Sequence, residues 1–161
     1  MPSRRASTTR RRRVTMRVME PVRTSGALLK TKRVFIVDDQ EDTRDLYAEV
    51  LRIEGFVVDT APDAEDALGK IEETPPDVVV ADYMLSNING FEFCRMLKAN
   101  VKTDAIPVII VTGFDGPAWE EEAKRAGASQ FLNKPLLPND LVSAIRTLVS
   151  KPLKGDAGAS A

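Results

Sequence analysis

The chain has 161 residues, a length typical of a single domain, and 43% of them are hydrophobic, which is enough for a buried core. It contains no histidine, which excludes a histidine-based catalytic triad, histidine metal ligands and a phosphohistidine carried by this chain. Its single cysteine, Cys94, excludes an intramolecular disulfide and a cysteine-cluster zinc site. The formal net charge of −1 hides an asymmetry, because residues 1–33 carry eleven basic side chains and one acidic one, whereas the remainder carries twelve basic and twenty-three acidic ones.

Both ends of the chain have compositions typical of disorder. Residues 1–31 are rich in Arg, Ser and Thr without a sustained apolar period, which predicts a basic, disordered N-terminal extension. Residues 151–161 combine proline and glycine with small side chains, which predicts a disordered C-terminal tail. One folded domain is therefore expected over residues 32–150.

The basic extension has three interpretations. It has no role of its own, or its start codon is assigned too early, since Met16 and Met19 follow; alternatively, residues 1–33 contact nucleic acid or anionic lipid weakly and without specificity. The third interpretation is an organelle transit peptide. No apolar run approaches the roughly 20 residues of a membrane span, and no apolar leader core follows the start, so a cytoplasmic location is expected.

Short β-branched runs alternate with segments of helical periodicity through the predicted domain. The expected strands are 33–37, 57–60, 77–81, 108–111 and 130–132, and the expected helices are 41–54, 63–73, 90–99, 117–126 and 138–149. Near-continuous apolar strands are typical of a sheet that is covered on both faces. This alternation predicts an α/β domain with a doubly wound, five-stranded parallel sheet in the order 2-1-3-4-5.

Polar residues follow several of these strands. Asp38 and Asp39 follow the first strand, Asp82 the third, Thr112 the fourth, and Lys134 lies close to the end of the fifth. Ligands of open α/β sheets bind outside the carboxyl ends of the strands, where these side chains would converge.

The converging groups predict a chemistry. Three neighbouring carboxylates repel one another and need compensation, which one lysine and a hard divalent cation would supply. Oxygen-only ligands point to Mg²⁺ rather than zinc or copper. A carboxylate beside Mg²⁺, Lys134 and Thr112 suits a phosphoryl group, with the carboxylate as the nucleophile that forms an acyl phosphate.

These motifs together resemble the receiver domain of two-component response regulators, of the single-domain, CheY-like type. The resemblance covers about residues 32–150 and implies a flavodoxin-like fold. It rests on four motifs in the family's order: Val37-Asp38-Asp39, Asp82-Tyr83-Met84 with Gly90 eight residues after Asp82, Val111-Thr112, and Lys134-Pro135.

The resemblance implies a role for each acidic residue. Asp82 would be the phosphoacceptor and would also contact the metal. Asp39 would ligate Mg²⁺ directly, with Asp38 helping, often through water. The backbone carbonyl of Met84 would complete the protein's share of the metal shell.

The resemblance also implies a phosphoryl-binding side and a switch. Lys134 would hold a phosphoryl oxygen, and the Lys134–Pro135 bond is typically cis in the family. Thr112 would swing toward the phosphoryl group on activation, and Phe131 would rotate inward behind it.

Two hypotheses concern neighbours of these residues. Met84 and Phe114 lie two positions after Asp82 and Thr112, and apolar side chains there predict slow self-hydrolysis of the acyl phosphate. In the fourth helix, 117–126, Trp119 is the only large apolar residue, so this helix is expected to be weakly anchored, which would favour switching.

The function expected from the resemblance is that of a stand-alone phosphorelay switch. A sensor histidine kinase or phosphotransfer protein would supply the phosphoryl group, and a surface formed by the fourth helix, fifth strand and fifth helix would signal to an unknown downstream partner. The chain would catalyse only its own phosphorylation and dephosphorylation. Two alternatives stay open: a docking module of the same fold that is not phosphorylated, and a small phosphohydrolase, which usually has a second acid where Met84 stands.

Overall fold

The computed structural model describes residues 31–150. Its strands are β1 (Arg33–Val37), β2 (Val57–Ala61), β3 (Val78–Asp82), β4 (Val108–Thr112) and β5 (Gln130–Asn133). Its helices are α1 (Glu41–Ile53), α2 (Ala64–Glu73), α3 (Gly90–Ala99), α4 (Pro117–Ala126) and α5 (Pro138–Val149). The predicted basic extension and C-terminal tail lie outside the described residues, apart from residue 31, and stay predictions.

The five strands form one parallel sheet in the order β2-β1-β3-β4-β5, as predicted. In the register, Val37 of β1 pairs with Ala81 of β3, so these two strands end side by side. The chain leaves β1 for one edge of the sheet and β3 for the other, which makes this boundary the topological switch point. The fold therefore opens a crevice between the ends of β1 and β3.

The two faces of the sheet are covered by different helices. One buried cluster joins Phe35 and Val37 of β1 to side chains of α2, α3 and α4, and the other joins Val34 and Ile36 to side chains of α1 and α5. Successive residues of a strand point to opposite faces of the sheet, so a central strand buries side chains on both faces. All five residues of β3 and of β4 are buried, which explains why these strands read as continuous apolar runs.

Element boundaries differ from the sequence predictions by about one residue at the ends. Asp82 and Thr112 are the last residues of β3 and β4 rather than the first residues after them. Asp63 is the N-cap of α2, and its side chain accepts a hydrogen bond from the backbone N–H of Asp66 at 2.8 Å. Gly127 ends α4 in the left-handed conformation. Within residues 31–150, no helix has both the length and the apolarity that a bilayer crossing requires.

Candidate functional site

Three carboxylates meet at the crevice between β1 and β3. One carboxylate oxygen from each of Asp38, Asp39 and Asp82 lies within 4.8 Å of the others. Asp38 and Asp82 are 3% and 5% exposed, whereas Asp39 is exposed to solvent. The structure therefore brings together the three acidic residues that the strand ends predicted.

Asp38 is held by the start of α1. Its carboxylate accepts a hydrogen bond from the backbone N–H of Gln40 at 2.9 Å, and its backbone carbonyl accepts one from the guanidinium of Arg44 at 2.8 Å. Burial raises the pKa of Asp38, and the nearby charges of Asp82 and Asp39 add to the rise, against the opposing effects of the Gln40 hydrogen bond and Lys134. The negative charge on Asp38 is thus costly in the absence of a cation.

Asp82 has a partner for each carboxylate oxygen. One oxygen accepts a hydrogen bond from the backbone N–H of Met84 at 3.1 Å, and the other lies 2.7 Å from the ammonium of Lys134. These contacts orient the carboxylate, because its two oxygens are bound by groups on different loops.

Gly90 lets the first turn of α3 approach the backbone of Asp82. A Cβ at position 90 would lie 2.7 Å from the carbonyl oxygen of Asp82 and 2.9 Å from the Cα of Tyr83. The N–H of Gly90 also donates to the carbonyl of Tyr83 at 2.8 Å. The glycine of the motif is therefore needed for close packing behind Asp82.

Lys134 reaches the site from the segment that follows β5. Its backbone N–H donates to the carbonyl of Thr112 at 2.8 Å, and the Lys134–Pro135 bond is cis, as the resemblance implied. Burial acts to lower the pKa of Lys134, but the hydrogen bond and charge of Asp82, with a contribution from Asp38, outweigh it and raise the pKa. The ammonium is therefore firmly charged at neutral pH.

The two predicted switch residues lie on β4 and β5. Thr112 is fully buried, and its hydroxyl oxygen accepts a hydrogen bond from the backbone N–H of Phe114 at 3.1 Å. The side chain of Asn133 holds the same loop by donating to the carbonyl of Phe114 at 2.7 Å. Phe131 is half-buried, packs against the core on the face of α4, and pairs with Ile110 in the register. The described contacts do not join either switch residue to Asp82.

A group of four aromatic rings next to the site is absent from the sequence predictions. The ring of Trp119 stacks on that of Phe114, with centroids 4.6 Å apart. The ring of Tyr83 packs edge-on against that of Trp119, with centroids 5.0 Å apart. Phe91 contacts Tyr83 at 4.8 Å. All four residues lie on different loops or helices, so only the tertiary structure brings them together. The group anchors the first turn of α4, whose other buried side chains are small.

Two further residues have roles that the apolar pattern of α1 does not predict. Arg44 binds the carbonyl of Asp38, as described above. Tyr47 belongs to the apolar stripe of α1, but its hydroxyl donates to the carbonyl of Leu136 at 3.3 Å. A polar atom at the tip of an otherwise core-facing residue is the only signal in the sequence that could have indicated this contact.

The donor set fits Mg²⁺. Asp38, Asp39 and Asp82 offer only carboxylate oxygens, which are the hard ligands that Mg²⁺ prefers, and the exposure of Asp39 leaves one side open to water. Burial first, and then the charges of Asp82 and Asp39, raise the pKa of Asp38, and a divalent cation would offset both effects.

The comparisons with known proteins agree with this geometry. The family model of the response regulator receiver domain matches residues 34–146. The chain belongs to this family, which defines it as a receiver domain of a response regulator in two-component signalling. Receiver domains generally bind Mg²⁺ at such an aspartate cluster.

The similar proteins differ in how much of their length this chain spans. Protein PilG of Pseudomonas aeruginosa is 32% identical over 117 residues, which cover 73% of this chain and 87% of PilG. Response regulator PleD of Caulobacter vibrioides is 35% identical over 116 residues, which cover 72% of this chain but only 26% of PleD. Among solved structures, chemotaxis protein CheY4 of Vibrio cholerae is 28% identical with a TM-score of 0.71, covering 74% of this chain and 99% of CheY4.

Proposed function

We propose that Asp82 accepts a phosphoryl group from a histidine kinase or a phosphotransfer protein in a reaction that requires Mg²⁺. The observation that carries the proposal is the meeting of Asp82 with two further carboxylates and with the ammonium of Lys134, 2.7 Å away. Because these 161 residues contain no histidine, the phosphohistidine donor must lie outside them.

The metal would be held by Asp38, Asp39 and Asp82, with the backbone carbonyl of Met84 as the further ligand that the family resemblance implies. Bound there, Mg²⁺ would neutralise charge on the phosphoryl oxygens. Asp39 is the ligand that solvent can reach, whereas the carboxylate of Asp38 is buried together with that of Asp82.

The chain's own residues then orient and stabilise the transfer. A carboxylate oxygen of Asp82 attacks the phosphorus, a P–O bond forms as the donor's P–N bond breaks, and the electron pair leaves with the imidazole. The N–H of Met84 and the ammonium of Lys134 orient the carboxylate before attack. Lys134 exchanges its contact with Asp82 for one with a phosphoryl oxygen and stabilises the developing charge.

Thr112 and Phe131 would transmit the phosphorylation of Asp82 to the surface of the domain as a conformational change. The hydroxyl oxygen of Thr112 accepts from the N–H of Phe114, which leaves the hydroxyl proton available for a phosphoryl oxygen. A shift of Thr112 would draw the loop before α4 toward the site and alter the α4–β5–α5 surface, which a downstream partner would read. On this proposal the chain is a switch that catalyses only its own phosphorylation and dephosphorylation.

The rate of dephosphorylation is part of the proposal. Met84 and Phe114 are 59% and 44% exposed, and both follow residues of the site by two positions. Apolar side chains there offer no hydrogen bond to an attacking water. Because hydrolysis then proceeds without help from a general base at these positions, we expect the phosphorylated form to last on the order of minutes or longer. Met84→Asn should shorten it, and a wild-type lifetime of seconds would contradict the hypothesis.

The experiment that tests the proposal is phosphate-affinity electrophoresis after incubation with acetyl phosphate, with and without Mg²⁺. We expect a Mg²⁺-dependent shifted band for the wild type and none for Asp82→Asn. Asp63→Asn is the matched control, because asparagine caps a helix as well as aspartate does and Asp63 lies at the start of α2.

The outcomes separate the remaining alternatives. A wild type that gives no shifted band and does not respond to beryllium fluoride would indicate the docking module that is not phosphorylated. Steady turnover of an added phosphate ester would indicate the phosphohydrolase. Weak nucleic-acid contact through residues 1–33 and a cytoplasmic location stay predictions of the sequence.

A further inference from the structure

Tyr47 joins α1 to the loop between β5 and α5. Its side chain is only 7% exposed and lies in the core cluster shared by α1 and α5. Its hydroxyl donates to the backbone carbonyl of Leu136, 89 residues away in sequence, at 3.3 Å. A buried phenol needs such a partner, so the hydrogen bond ties the loop to the helix.

The position of the acceptor gives this hydrogen bond its significance. Leu136 is two residues after Lys134, and the backbone N–H of Lys134 is itself bound to the carbonyl of Thr112 at 2.8 Å. The segment that carries Lys134 is thus fixed to β4 before the lysine and to α1 after it. From this segment the ammonium reaches Asp82 at 2.7 Å.

The pKa of the phenol responds to the charges of the same groups. Burial raises the pKa of Tyr47, and the charges of Asp38 and Asp82 add to the rise, while Lys134 opposes it. The hydroxyl therefore stays protonated at neutral pH and remains a donor to the loop. It bonds to the loop carbonyl rather than to Asp82 or to the ammonium.

We infer that Tyr47 is a positioning residue for Lys134, which makes it a determinant of how tightly the site holds a phosphoryl group but not of how tightly it holds Mg²⁺. The metal ligands come from the ends of β1 and β3, which the loop after β5 does not carry. A hydroxyl that fixes only the lysine's loop should therefore affect the anion selectively. This inference rests on the proposed function of the site.

The test uses the full-length protein with Tyr47→Phe, which removes one oxygen atom and keeps the ring. Two titrations are compared: Mg²⁺ alone, and beryllium fluoride at saturating Mg²⁺. Binding is measured by the fluorescence of Trp119, the only tryptophan, and by the midpoint of thermal unfolding. We expect an unchanged Mg²⁺ affinity, a roughly five- to ten-fold higher half-saturating concentration of beryllium fluoride, and phosphorylation by acetyl phosphate slowed by a similar factor.

Thr103→Val is the matched control. The hydroxyl of Thr103 is likewise buried and donates to a backbone carbonyl, that of Leu97 at 2.7 Å, but it lies in the turn between α3 and β4, before the amino end of β4, whereas the site lies at the carboxyl ends of the strands. This variant loses a comparable hydrogen bond without touching the segment of Lys134. Its beryllium fluoride response should remain that of the wild type.

Two results for Tyr47→Phe would overturn the inference: an unchanged beryllium fluoride response, or equal losses of Mg²⁺ and beryllium fluoride affinity, which would indicate a general structural role. A wild type that binds Mg²⁺ but neither beryllium fluoride nor a phosphoryl group would instead overturn the proposed function, and this inference with it.

Discussion

The two sides of the site treat buried charge differently. On the acidic side, formed by Asp38 and Asp39, burial of Asp38 and, to a smaller extent, the neighbouring carboxylates disfavour the ionisation of Asp38 and raise its pKa. On the basic side, formed by Thr112 and Lys134, burial also disfavours charge, but the contact with Asp82 outweighs it, and the pKa of Lys134 is raised as well. The same direction of shift has opposite meanings, since it weakens the charge of an acid and strengthens that of a base.

Among the described residues, only the basic side has an ion pair that balances its buried charge. Lys134 already has the opposite charge that offsets its desolvation, whereas within residues 31–150 the carboxylates of Asp38 and Asp39 make no ion pair. The site therefore gives up stability on its acidic side, which a bound cation would restore. Substitutions on the two sides should therefore have different effects on stability.

The largest effect is expected where the two sides meet, at Gly90→Ala. The added methyl group would collide with backbone atoms of Asp82 and Tyr83 that cannot move without displacing the carboxylate. We expect a loss of about 2–3 kcal/mol in the free energy of unfolding, measured with urea. Gly69→Ala in α2 is the control, since a Cβ there meets nothing within 4 Å and the change should stabilise the helix by about 0.5–1 kcal/mol.

Lys134→Met removes the charge of the basic side. Asp82 would be left buried beside two carboxylates, so we expect the metal-free protein to lose about 2 kcal/mol, and phosphorylation to slow by about a hundredfold or more. The stability that Lys134 contributes is present below its ordinary pKa of 10.5 and is lost as the pH rises through its higher folded-state value. Equal loss in Lys124→Met, whose side chain is 67% exposed, would contradict the assignment.

On the acidic side, Asp38→Asn should raise the free energy of unfolding of the metal-free protein, whereas Lys134→Met lowers it. The amide can still accept the hydrogen bond from Gln40, while the costly charge disappears, so we expect the metal-free protein to gain about 1 kcal/mol at pH 7. Because the folded pKa of Asp38 is raised, its destabilising effect is full above that pKa and fades as the pH falls toward 3.8. The gain should fade with it, and stabilisation by Mg²⁺ should largely vanish; a metal-free variant less stable than the wild type would refute this prediction.

The smallest effect concerns α4, which follows Thr112 on the basic side. Its buried residues are Ala123 and Ala126, with Trp119 half-buried, whereas α5 buries larger side chains such as Leu141 and Ile145. We expect amides of α4 to exchange about ten times faster than those of α5 in hydrogen-exchange mass spectrometry. Similar rates would show that the aromatic group around Trp119 compensates for the small side chains.

The sequence predicted the sheet and the acidic cluster closely. Parallel strands align their carboxyl ends, so Asp38, Asp82 and Thr112 could be placed at one edge from their positions alone. Periodicity was less informative about Tyr47, because an apolar stripe assigns its ring to the core but does not predict the hydrogen-bond partner of its hydroxyl. The packing of Tyr83, Phe114 and Trp119 also escaped prediction, since their contacts depend on how two loops and a helix come together.

The order of the elements and the residue types at the strand ends can be read from the amino-acid sequence, because backbone periodicity and chain connectivity are local and nearly discrete. The hydrogen bonds that hold those residues in place form only when the elements pack together. Arg44 donates to the carbonyl of Asp38 at 2.8 Å, Tyr47 donates to that of Leu136 at 3.3 Å, and Gly90 leaves room for backbone that a Cβ would meet at 2.7 Å. Such contacts depend on the packing of whole elements, which no single stretch of the chain encodes.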